Sequence, residues 1–144
     1  MPQETTTRSL TQSPIRARLL LADDNPRMFE QLLMMLGRDF DIVARASTGR
    51  EAVSAALEYS PDALILDISM PIMSGLRAAE QLRDKGCHFP VVFLTVHEDE
   101  EYVRAAQEAG ALGYVLKSQM ASDLVPAIRA ALEGQQFVSR SLAH

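Results

Sequence analysis

The stretch ARLLLADDNPRMFEQLLMML, residues 17–36, holds a strand, a turn and a helix in succession. Ala17 to Ala22 is apolar apart from Arg18, and a continuous apolar run suits a strand covered by helices on both faces. Asp23, Asp24 and Asn25 break the run. From Pro26 the period becomes helical, with Met28, Leu32, Met35 and Leu36 on one stripe. Gly37 follows, where helices commonly close in a left-handed cap.

The rest of the chain repeats this unit, which predicts a parallel sheet wound with helices, five strands and five helices in all. The remaining strands are expected over Asp41 to Ala46, Ala63 to Leu66, Val91 to Thr95 and Gly113 to Leu116. DIVARA, residues 41–46, alternates polar and apolar and belongs at a sheet edge. Helices are expected over Gly49 to Tyr59, Ser74 to Lys85, Asp99 to Ala109 and about Ser122 to Glu133, the last tolerating Pro126 because it falls near the first turn.

Composition narrows the function. A net charge of −5 opposes unaided nucleic-acid binding, which needs clustered lysine and arginine. The single cysteine, Cys87, excludes an internal disulfide and a multi-cysteine zinc site, and suits a small packed or half-exposed position. No apolar run approaches the roughly 20 residues of a spanning helix, and the start lacks the apolar centre of a signal peptide. The expectation is a soluble, cytoplasmic protein with a disordered leader over residues 1–15.

The unusual polar residues gather where strands end: Asp23 and Asp24 after the first, Asp67 after the third, Thr95 closing the fourth, Lys117 after the fifth. In a doubly wound sheet, ligands bind beyond those ends. Three carboxylates in one pocket repel one another and call for a hard divalent cation, for which Mg²⁺ is suited because it takes oxygen ligands and commonly bridges carboxylate to phosphate. Lys117 adds a mobile positive charge and Thr95 a hydroxyl donor, so the set reads as a phosphoryl-transfer site. His97 reads as a loop residue beside the pocket, and His88 and His144 have no metal-binding arrangement. Ser69 and Ser74 have no histidine at a useful spacing, which speaks against a serine hydrolase.

The motifs LLLADDN, LILDISMPIMSG, VVFLT and GYVLK resemble the receiver domain of two-component response regulators, over about residues 17–135. The resemblance implies a flavodoxin-like, five-stranded parallel sheet in the order 2-1-3-4-5. It implies that Asp67 takes a phosphoryl group from a sensor histidine kinase, with Lys117 and Thr95 assisting. It further implies that Mg²⁺ is held by Asp24, Asp67 and the backbone carbonyl of Ser69, with Asp23 acting through water, and that Thr95 and Tyr114 form a switch pair. The run TVHEDEEYVRAAQEAGALGYVLK and the later GQQFVSRSLA are similar to the NarL/FixJ-like (LuxR-type) group. Members of that group usually continue into a helix-turn-helix domain, so DNA contact is expected only through an output domain outside this chain, with a homodimer as a further partner state. The implied organisation is a receiver over residues 16–135 and the start of a linker or tail over 136–144. Two residues depart from the family pattern: Ser118 stands after Lys117 where proline is common, which favours a trans bond, and Val96 after Thr95 is bulkier than usual. The rival readings are a free-standing receiver acting by protein contact and an Asp67-nucleophile phosphatase, the latter disfavoured by the short loops after the strands.

Overall fold

A computed structural model describes residues 15–139 and 142. The strands are β1 (Arg18–Ala22), β2 (Asp41–Ala46), β3 (Ala63–Leu66), β4 (Val91–Thr95), β5 (Gly113–Leu116) and β6 (Phe137–Val138). The helices are α1 (Pro26–Leu36), α2 (Gly49–Tyr59), α3 (Gly75–Asp84), α4 (Glu100–Glu108) and α5 (Met120–Leu132). All strand pairs are parallel and the order is β2-β1-β3-β4-β5-β6, the flavodoxin-like arrangement with one strand added at the far edge.

Alternation of side chains splits the core into two layers. Leu20, Leu64, Leu66, Phe93, Tyr114 and Leu116 point to one face, where alanines of α2, α3 and α4 let those helices approach closely. Leu19, Leu21, Ile65, Val92 and Val115 point to the other and meet Phe29, Leu32 and Leu36 of α1 and Leu124 and Ile128 of α5. The α1 stripe therefore includes Phe29, while Met28 and Met35 only pack at its margin. β2 is the more exposed edge strand, as its alternation requires, and its register shifts between Ile42 and Ala44 against β1. No helix among the described residues is long and apolar enough to cross a membrane.

Three details differ from the sequence reading. Gly37 ends α1 in a right-handed conformation with φ −65°, so the left-handed cap expected there is not formed, whereas Ser60 after α2 does adopt one at φ 44°. A single 3₁₀ turn, Lys117–Gln119, runs straight into α5, which begins at Met120 rather than near Ser122 and leaves Pro126 inside the helix. The residues expected to start a tail also extend the sheet: Phe137 pairs with Gly113 and Val138 with Tyr114. Ser139 behind them is fully buried and accepts a hydrogen bond from Leu116 N at 3.0 Å. This cover explains why β5 is apolar on both faces despite lying next to the edge. The expected leader lies outside the described residues apart from Ile15.

Candidate functional site

The backbone ladder continues one residue past two strands. Asp23 N donates to Ala46 O at 3.0 Å and Asp67 N to Ala22 O at 2.9 Å, which fixes both carboxylates at the sheet's C-terminal end. Asp23 and Asp67 are buried, at 1% and 6% exposure, while Asp24 is exposed beside them. The loops hold the carboxylates further: Asn25 N donates to Asp23 Oδ1 at 2.9 Å and Ser69 N to Asp67 Oδ1 at 3.3 Å. One oxygen from each of Asp23, Asp24 and Asp67 can be chosen so that all three lie within 4.8 Å of one another.

Lys117, leaving β5, reaches back between the buried pair, its Nζ 2.8 Å from Asp23 Oδ2 and 3.1 Å from Asp67 Oδ2. Burial pushes the Asp67 carboxyl above the usual carboxylate range, the Lys117 charge pulls it back, and the neighbouring Asp23 adds to the rise. For Lys117, burial opposes the charge, but the hydrogen bond to Asp23 and the charges of both aspartates outweigh it and hold the ammonium above its ordinary value. A cluster of hard oxygen donors, two of them buried and only partly neutralised by one lysine, has the chemistry that a small divalent cation such as Mg²⁺ fits.

The loop from β3 to α3 can close tightly because of Gly75. Its N–H bonds Ile68 O at 2.8 Å, and a Cβ there would fall 2.1 Å from the backbone oxygen of Asp67. Ser74 caps α3 by accepting from Arg77 N, a structural role.

Thr95 is fully buried at the end of β4, and its Oγ1 accepts from His97 N at 3.1 Å. Tyr114 is turned inward at 2% exposure and donates its hydroxyl to His97 O at 2.7 Å. Burial first, then the charges of Tyr102 and Asp99, push its phenol up to about 12. Val96 stands exposed beside the site, and all described peptide bonds, including that before Ser118, are trans.

His97 lies in the loop beside the pocket, as its position after Thr95 suggests, and is held there by specific contacts. Its Nε2 lies 2.6 Å from Ser69 Oγ, and its ring stacks on Tyr102 with centroids 4.0 Å apart. No sequence spacing relates Ser69 to a histidine: the two are 28 residues apart and are brought together only by the fold. Among the described residues no carboxylate bonds the imidazole, so the pair does not form a hydrolase triad. Cys87 is half-buried and, with His88, lines a groove at the opposite end of the sheet, beside Leu82, Arg83 and Phe89. His144 lies outside the described residues.

The family model of the response regulator receiver domain matches residues 19–129. The uncharacterized transcriptional regulatory protein YvfU of Bacillus subtilis is 39% identical over 87% of this chain and 64% of its own length. The nitrate/nitrite response regulator protein NarL of Escherichia coli is 35% identical over 88% of this chain and 59% of its own. The chain therefore spans less than two thirds of these relatives. Among solved structures, a LuxR-family two-component response regulator from Aurantimonas is similar with a TM-score of 0.84 and 32% identity, covering 89% of this chain and 93% of that one. A LuxR-family DNA-binding response regulator from Staphylococcus aureus is similar with a TM-score of 0.76 and 29% identity, covering 81% and 98%.

Proposed function

The chain belongs to the response regulator receiver domain family, and on that premise we propose that Asp67 accepts a phosphoryl group from a sensor histidine kinase in the cytoplasm. The observation that carries this reading is the convergence of Asp23, Asp24, Asp67 and Lys117 beyond the ends of three separate strands. In the reaction a carboxylate oxygen of Asp67 attacks phosphorus, the bond from phosphorus to the kinase histidine breaks with its electron pair returning to the imidazole, and an acyl phosphate remains. The Lys117 ammonium opposes the upward push that burial gives the Asp67 carboxyl and neutralises charge on the incoming phosphoryl oxygens.

Asp24, Asp67 and the backbone carbonyl of Ser69 would hold Mg²⁺, with Asp23 linked through water. When bound, the ion supplies charge neutralisation between carboxylates and phosphoryl oxygens. Thr95 donates its hydroxyl to a phosphoryl oxygen, and Tyr114 packs inward behind it. The added charge favours whichever arrangement brings Thr95 and Lys117 onto the phosphoryl group. The consequence is a change on the face made by α4, β5 and α5, altering contact with a second copy or with an output domain. YvfU is named as a transcriptional regulatory protein, and control of transcription is proposed as the output of the protein this chain represents.

Incubation with acetyl phosphate and Mg²⁺ tests the reading. Intact mass is expected to rise by a single phosphoryl group, the rise being absent with a chelator and in Asp67→Asn. Equal labelling of that variant would remove the assignment.

A further inference from the structure

Four contacts converge on His97, from four different parts of the fold. Ser69 in the loop after β3 bonds its ring nitrogen at 2.6 Å, Tyr102 in the first turn of α4 stacks on its face with planes 15° apart, Thr95 Oγ1 accepts from its N–H at 3.1 Å, and the Tyr114 hydroxyl donates to its carbonyl at 2.7 Å. The Ser69 bond is short for any hydrogen bond to nitrogen, and its direction follows the imidazole tautomer.

The helix that follows is weakly held by its own sequence. Its N-cap, Asp99, makes no side-chain capping bond, and of its nine residues only Ala106 is buried. A capping side chain typically contributes about 1 kcal/mol, so the start of α4 depends on tertiary ties, of which the His97–Tyr102 stack is one. The C-terminal end has another, Arg83 Nη1 donating to Glu108 O. An element tied at both ends but poorly packed along its length is suited to shift as a unit.

Resting on the phosphoacceptor reading of Asp67, we propose that His97 is a positioning residue. Clamped between Ser69 and Tyr102, it orients the Thr95 hydroxyl toward a phosphoryl group on Asp67 and carries the loading of that group to α4. The orientation follows from donor and acceptor counts. A hydroxyl has one proton and two lone pairs, and the His97 N–H occupies a lone pair of Thr95, leaving the proton to be donated. The transmission follows from connectivity: a displacement of the loop bearing Ser69 pulls on the imidazole, and the imidazole lies against the first turn of α4. His97 thus touches the loop after β3, the end of β4, α4 and β5.

Beryllofluoride with Mg²⁺, a phosphoryl mimic, is the probe, titrated into the unaltered chain and into Ser69→Ala, Ser69→Thr, His97→Ala and the Ser69→Ala/His97→Ala double variant, followed by NMR. Ser69→Ala removes the hydroxyl and leaves the backbone carbonyl, and the spectra report whether each variant is folded. Each alanine variant is expected to bind the mimic about fivefold more weakly, a coupling at the low end of the usual range. The double variant is expected to be no worse than the weaker single one, Ser69→Thr to bind as the unaltered chain does, and Tyr102 resonances to stop following saturation once the clamp is cut. Additive losses, unchanged affinities, or Ser69→Thr behaving as Ser69→Ala would overturn the inference alone. No binding by the unaltered chain would overturn the phosphoacceptor reading, and this inference with it.

Discussion

Tyr114 reports on the packing behind Asp67 through its own proton. Its phenol is buried beside Tyr102 and Asp99, so the neutral form is favoured and the pKa rises from 10.0 to about 12. Between those values the folded chain keeps a proton that the unfolded chain has lost, so the folded state binds more protons there and stability falls as pH rises. The stability Tyr114 contributes is therefore complete below about 10 and is lost as pH climbs through about 12. The chain has three tyrosines, and tyrosinate absorbance should show a late phase near 12 that is missing in Tyr114→Phe. A late phase that persists in the variant would place the buried phenol elsewhere. At the same scale, Asp67 illustrates opposing effects: burial favours the protonated form, Lys117 at 3.1 Å works against that, and with Asp23 beside it the carboxyl stays above its usual range.

The loop between β3 and α3 is the element on which site geometry depends most. A methyl group at position 75 would lie 2.1 Å from Asp67 O, and backbone atoms on both sides would have to move. Gly75→Ala is expected to destabilise the fold by about 1–3 kcal/mol, the usual range for overpacking, and to lower Asp67 labelling more than a surface substitution of equal stability cost. Denaturant melts and mass-based labelling measure both, and an unperturbed Gly75→Ala protein would mean the loop is not confined. Elements with strong periodicity were legible before any coordinates: β2, β3, β4 and β5, with α1 and α2, have the bounds their apolar patterns and flanking turns imply. The start of α5 is less legible because Pro126 suits a first turn, yet tertiary packing of Leu124, Ala127 and Ile128 holds the helix through it from Met120. β6 was not legible because two residues carry no period, and its pairing depends on the free edge of β5.

At the scale of the molecule, the sheet turns scattered residues into one site. Asp23, Asp67, Thr95 and Lys117 were legible as a set because a parallel sheet places the ends of its strands side by side, so position relative to each apolar run was enough to group them. The bond between Ser69 and His97 was not, since it joins two loops whose paths depend on how the helices dock. Ser69, whose N–H bonds Asp67 Oδ1 at 3.3 Å, and His97, 2.6 Å from the Ser69 hydroxyl, are the natural rivals to Asp67 as the phosphorylated residue. Borohydride reduction after acetyl phosphate treatment distinguishes them, because an acyl phosphate is reduced to an alcohol and phosphoserine or phosphohistidine is not. Peptide mass spectrometry is predicted to find homoserine at position 67 and nowhere else; a phosphoryl group surviving reduction on Ser69 or His97, with Asp67 unchanged, would contradict the account.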